Sequence, residues 1–271
     1  MERVTTTATA SPAPSVTTPL LSVEELGLHF GGVAALDGVS FDVAEGDLYA
    51  IIGPNGAGKT CIFNCLNGVY EPQLGHAVFD GHELVGARPS RIARFGVGRT
   101  FQNLGLFTNL DLVENLMLGR HTRMRTGFFA GAVWFGRARR EEIAHRRYCE
   151  EVVEFLELGE HRGQPVGMLP YGIQKRIELG RALAMEPRLL LLDEPVAGMN
   201  LEEIEDMARY ILEIKAELGI TTILVEHDMR MVMDIADRVL ALDFGQVIAT
   251  GSPMEIQNDR RVIEAYLGQP S

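Results

Sequence analysis

The chain has 271 residues, 46% of them hydrophobic, and a formal net charge of −12 at pH 7. That suits one large α/β domain with a smaller subdomain, and the acidic balance argues against a nucleic-acid partner, which needs a basic face. Cys61, Cys65 and Cys149 lack metal-ligand spacing and suit a reducing compartment, Cys61 and Cys65 as small apolar filling on one helix. No signal-peptide h-region is expected, and no apolar run approaches the roughly 20 residues of a membrane-spanning helix.

Residues 1–19, rich in Thr, Ala, Ser and Pro, are expected to be a disordered tail. Strand-like patterns follow over Leu21–Phe30 and 39–43, the second with period-2 alternation. After a turn at 45–47, the apolar run Leu48–Ile52 leads into Gly53-Pro54-Asn55-Gly56-Ala57-Gly58-Lys59-Thr60. A helical pattern through Ile62, Phe63 and Leu66 then ends near Gly68. Strand, glycine-rich turn and helix start form the context of a phosphate-binding loop. The glycines let successive N–H groups converge on phosphate oxygens, and the helix N-terminus points at the same place. Lys59 offers a point charge to the β- and γ-phosphates of a nucleoside triphosphate, and the Thr60 hydroxyl is a ligand for Mg²⁺.

A short strand at 76–80 completes a group expected to form an antiparallel sheet beside the nucleotide. From about 103 to 172 the pattern is mostly helical, with an amphipathic stretch at 143–158. The segment 120–147 is basic (Arg120, Arg123, Arg125, Arg137, Arg139, Arg140, Arg146, Arg147) and encloses the apolar run from Gly127 to Gly136. It is either a solvated face or a contact surface for lipid or a membrane partner. A helix over 174–185 precedes the continuous apolar run 189–192, which is expected to be a central parallel strand. Asp193 ends that strand, where a carboxylate can hold Mg²⁺, and Glu194 next to it can orient or deprotonate water. Leu201–Leu218 reads as a helix with Asn200 as N-cap, Glu203 at its third position and Gly219 beyond its end. Thr221–Val225 is a further buried strand, followed by Glu226-His227-Asp228. Segments 238–242 and 246–250 read as a hairpin, and a short helical tail ends near Leu267. By itself His227 is as readily bland as functional, and Gln102 alone reads as an exposed loop residue.

In this order the motifs resemble those of the ATP-binding subunits of ABC transporters, from about residue 20 onward. The resemblance implies an α/β P-loop NTPase fold of ABC type over 20–271. It has a mostly parallel core sheet, an antiparallel β subdomain and a helical subdomain at about 103–176. It also implies site roles. Phe30 stacks on adenine, and Gly53, Pro54, Asn55, Gly56, Ala57, Gly58, Lys59 and Thr60 form the Walker A loop. Mg²⁺ is held by Thr60, Gln102 and Asp193. Glu194 is the catalytic base, His227 the switch histidine and Gln102 the Q-loop residue. The signature that serves a second subunit's ATP corresponds to Leu169, Pro170, Tyr171, Gly172 and Ile173, and the D-loop to Ala197, Gly198, Met199 and Asn200. Pro170 lacks the hydroxyl usual there, Ile173 replaces a polar side chain, and Asn200 stands where aspartate is usual.

Residues 97–102, the insertion after Glu114-Asn115-Leu116, Tyr171-Gly172, Glu194-Pro195 and the tail Ala265-Tyr266-Leu267-Gly268 are similar to the branched-chain amino-acid importer subgroup. This implies an ATPase at the cytoplasmic face of the cell membrane. Its partners are a second ATPase subunit (identical or not), integral membrane permeases and, indirectly, an extracytoplasmic binding protein. Two other readings stand beside it: an exporter ATPase, for example for a lipid-linked glycan, and a non-transport ATPase of translation or DNA repair. Within importers, urea, short amides and other amino acids are open as substrates.

Overall fold

The computed structural model describes residues 18–100, 105–121, 123 and 137–267. Most of the tail 1–19, the Gln102 position with Phe101, the apolar run from Gly127 to Gly136, and Gly268 lie outside the described residues.

Two sheets carry the fold. β1 (Leu21–Phe30), β2 (Val33–Val43), β4 (Leu74–Phe79) and β5 (His82–Glu83) form an antiparallel sheet in the order β2-β1-β4-β5. β3 (Leu48–Ile52), β6 (Val97–Arg99), β7 (Leu189–Asp193), β8 (Thr221–Val225), β9 (Arg238–Asp243) and β10 (Gln246–Gly251) form the other, in the order β10-β9-β3-β8-β7-β6. Pairing is parallel from β9 through β6, and β10 closes one edge antiparallel to β9. β3, β7 and β8 are buried at every residue, which explains their unbroken apolar runs. Each fully buried Leu or Ile there contributes about 1.5–3 kcal/mol relative to exposure.

The helices are α1 (Lys59–Leu66), α2 (Pro89–Phe95), α3 (Leu112–Arg120), α4 (Arg137–Phe155), α5 (Tyr171–Leu183), α6 (Leu201–Leu218), α7 (Met229–Ile235), α8 (Pro253–Gln257) and α9 (Arg260–Leu267). α6 starts on a capping box, with Asn200 accepting from Glu203 N–H and Glu203 accepting from Asn200 N–H, and stops at Gly219 in the left-handed region. None of the helices among the described residues is long and apolar enough to cross a membrane. Cys65 and Cys149 are buried and unbridged, and burial pushes the Cys65 thiol up to about 12, as befits a core filler.

Several boundaries differ from the sequence pattern. β2 begins at Val33, well before 39, because Gly38 adopts φ 68° and breaks the alternation without ending the strand. α4 begins in the arginine-rich stretch at Arg137, since arginine is a good helix former, and ends by Glu157, whose φ is 52°. α5 starts at Tyr171, three residues before the expected 174: Pro170 occupies the N-cap with φ −53° but offers no capping side chain.

Candidate functional site

β3 delivers the chain into the glycine-rich turn, and the turn fits only glycine at two places. Gly53 has φ 151°, and a Cβ on it would stand 2.1 Å from the Leu242 carbonyl oxygen. Gly58, with φ 104° at the start of α1, would bring a Cβ within 2.6 Å of the Ala35 carbonyl oxygen. Lys59 follows, 5% exposed, and its ammonium donates to the carbonyls of Gly53 (2.7 Å) and Pro54 (3.0 Å). Burial pulls its pKa down, opposed by the carboxylates of Glu194 and Asp193.

A cavity of about 280 Å³ has Gly56, Gly58, Lys59 and Thr60 on its walls together with Glu194 and His227. Residues more than 130 positions apart thus share one cleft. His227 Nε2 lies 2.7 Å from Glu194 Oε1. Glu194 reaches that position through a left-handed backbone (φ 49°), while its N–H donates to the Val225 carbonyl at 2.9 Å. Non-glycine residues held there cost of order 1–3 kcal/mol, strain typical of functional sites. Phe30 is not on this cavity wall. It ends β1, 48% exposed, with its ring edge-on to Tyr70 at 5.2 Å between centroids.

Asp193 ends β7 and is 1% exposed. Its Oδ2 accepts from Arg99 at 2.9 Å and its N–H donates to Thr100 Oγ1 at 3.2 Å, whereas Oδ1 is buried without a hydrogen-bond partner among the described residues. Burial raises the Asp193 pKa, and the Arg99 guanidinium holds it back. The other arm of Arg99 donates to Asn64 Oδ1 at 2.8 Å, and the guanidinium lies over the Phe63 ring. Arg99 therefore ties β6 to α1 and β7.

The Leu169–Ile173 segment and the Ala197–Asn200 segment come together. Pro170 precedes α5, so the N–H groups of Tyr171, Gly172 and Ile173 occupy its first turn. Tyr171 is 43% exposed, and a Cβ on Gly198 would stand 3.3 Å from its ring. Gly172 backs onto Glu203, whose side chain occupies the space a Cβ would take. Met199 packs on the core, and Asn200 caps α6. Lys175 of α5, 3% exposed, donates to the Glu194 carbonyl at 3.4 Å, linking this face to the cleft.

Three residues lie inside the motif segments but carried no role in the sequence. Glu226, 3% exposed, accepts from Val196 N–H (3.0 Å), His227 N–H (2.8 Å) and Asp228 N–H (3.4 Å), which joins the chain after Glu194 to the His227 turn. Its pKa is raised by burial, against those three donors. Arg99 and Tyr266 are the others, and Tyr266 accepts from Gly53 N–H at 2.7 Å. An acidic residue directly after the fully buried β8 was the available signal for Glu226; for the other two it was their place in the segments 97–102 and Ala265-Tyr266-Leu267-Gly268.

The parallel sheet, the phosphate loop and the facing carboxylate–histidine pair define an α/β nucleoside-triphosphatase of P-loop type. The family model described as ABC transporter matches residues 36–197, and the model for the branched-chain amino acid ATP-binding cassette transporter matches residues 246–270. The chain is 41% identical over 251 residues to the high-affinity branched-chain amino acid transport ATP-binding protein BraF of Pseudomonas aeruginosa, covering 93% of this chain and 98% of the relative. It is 39% identical to LivG of Escherichia coli, a protein of the same description, with the same coverage. An ATP-binding cassette of an ABC transporter solved in its ADP conformation matches with TM-score 0.82 and 30% identity, covering 93% of this chain and all of that one. The chain belongs to the ABC transporter family and is an ATPase of that family.

Proposed function

We propose that this protein is the ATP-hydrolysing subunit of a membrane importer for branched-chain amino acids. Whole-length similarity to BraF and LivG, including the matched C-terminal segment, supports the substrate class. The observation that carries the ATPase reading is the Glu194–His227 pair, 2.7 Å apart, facing Lys59 across one cleft.

In this reading the loop N–H groups and Lys59 bind the β- and γ-phosphates, and Phe30 stacks on the adenine. Water oxygen attacks the γ-phosphorus in line, its proton passes to Glu194, and the bond to the bridging oxygen breaks toward the diphosphate. A carboxylate has about four lone-pair sites, so the contact with His227 orients Glu194 and leaves it capacity to accept that proton. His227 positions the γ-phosphate. The Thr60 hydroxyl and the orphaned Oδ1 of Asp193 are hard oxygen donors that fit Mg²⁺, with Gln102 as a further ligand. When bound, the ion neutralises charge on the phosphates.

The first-turn amides of α5 and the segment from Ala197 to Asn200 serve the ATP of a second ATPase subunit. The helical region before α5 docks on integral membrane permeases at the cytoplasmic face, and an extracytoplasmic binding protein delivers the substrate. Pro170 offers no hydroxyl, so backbone donors carry the contact across the dimer.

Uptake of labelled leucine, isoleucine and valine in cells carrying wild type or Lys59→Ala tests the proposal, with urea and other amino acids as controls. Selective loss of the three is expected. Loss of urea uptake alone would reassign the substrate, and no change anywhere would favour an exporter ATPase.

A further inference from the structure

The C-terminal end of the chain reaches back to the phosphate loop. Tyr266 on α9 places its hydroxyl 2.7 Å from the Gly53 nitrogen and accepts that N–H. Gly53 is buried, and the Leu242 carbonyl oxygen fills the space a Cβ on it would take. On its other side, the Gly53 carbonyl accepts the Lys59 ammonium at 2.7 Å. The two bonds act on the two peptide groups that flank a single Cα. Together they hold both backbone dihedrals of Gly53, and Lys59 is tied to the second of these peptide groups.

The β9–β10 turn adds a second tie, Gly245 N–H to the Ala57 carbonyl at 2.9 Å. Around these ties the packing is open. A cavity of about 780 Å³ separates Asn55 and Gly56 from Arg261 and Glu264 of α9. On its other side, Tyr266 lines an apolar groove of about 590 Å³ with Met229 and Met233 of α7, the helix after His227. Tyr266 thus stands between the loop that grips phosphate and the helix behind the His227 turn.

We propose that Tyr266 is a positioning residue for nucleotide binding: through its hydroxyl contact with Gly53 it holds Lys59 in register for the phosphates. This rests on the reading of Lys59 as the phosphate ligand. Losing the Tyr266 hydroxyl contact would then change affinity without altering Glu194 or His227.

Tyr266→Phe keeps the ring and removes only the acceptor, leaving the buried Gly53 N–H unpaired. Equilibrium binding of ATP to the full-length protein should weaken about tenfold. In the assembled transporter KM for ATP should rise while kcat stays within twofold. Val262→Ala loosens α9 without touching the hydroxyl; it should lower Tm and leave ATP affinity unchanged. Unaltered ATP affinity in Tyr266→Phe, whatever its Tm, would overturn the proposal. So would an equal loss of affinity in Val262→Ala, which would assign the effect to helix seating alone. Lys59→Ala separates the two levels. If it too binds ATP normally, the phosphate-ligand reading fails; if only Tyr266→Phe binds normally, the positioning role alone fails.

Discussion

His227 Nε2 and Glu194 Oε1 meet at 2.7 Å although they belong to different strand ends, β8 and β7. The register of the sheet makes this contact: Asp193 pairs with Val225, so the turns after the two strands leave the same edge side by side. His227→Ala should leave nucleotide binding within about twofold and cut ATP turnover by about 10²-fold or more, the scale of a lost proton-handling or positioning group. Phosphate release measured against nucleotide affinity separates the two effects.

Arg99 and Asp193 form a buried pair, 6% and 1% exposed at the side chain. Arg99→Met strands the carboxylate, and breaking such a pair costs about 3–5 kcal/mol. The loss should shrink at acid pH, where protonation of Asp193 relieves it. Arg99→Lys should rescue only partly, because a single ammonium lacks the planar fork that spans Asn64 and Asp193. Denaturant unfolding of the three proteins at two pH values checks this.

Glu226 gives a pH signature of its own. Burial raises its pKa above the usual carboxylate value of about 4.3. The folded state therefore binds the proton more tightly than the unfolded chain, and the stability this contributes is lost as pH rises through the folded pKa. The Tm advantage of wild type over Glu226→Gln should narrow from acid to neutral pH. A gap that widens with pH would mean the three backbone donors outweigh burial.

Much of the site was legible because its motifs are local. Gly53–Thr60 is one turn, and Asp193, Glu194 and His227 each follow an unbroken apolar strand. Arg99, Glu226 and Tyr266 stand in the motif segments, but their roles were illegible because each depends on a partner far along the chain: Tyr266 lies 213 residues from Gly53. The same holds for boundaries. The β2 alternation breaks at Gly38, yet pairing with β1 carries the strand back to Val33. Tertiary pairing overrode the local pattern there.

Lys59 is held against stability. Its pKa is lowered by burial, below its ordinary value of about 10.4, so the unfolded chain binds the proton more tightly and stability rises with pH across that window. At neutral pH the charge is a burden kept for function. Lys59→Met should abolish ATP binding while leaving Tm equal or higher; a clear fall in Tm by calorimetry would contradict this.

The most direct measurement is phosphate release from ATP by the assembled transporter carrying wild type or Glu194→Gln, with ATP binding measured in parallel. Glu194→Gln should bind ATP as wild type does and release phosphate at least about 10²-fold more slowly. Unchanged phosphate release with ATP bound would show that Glu194 is not the base.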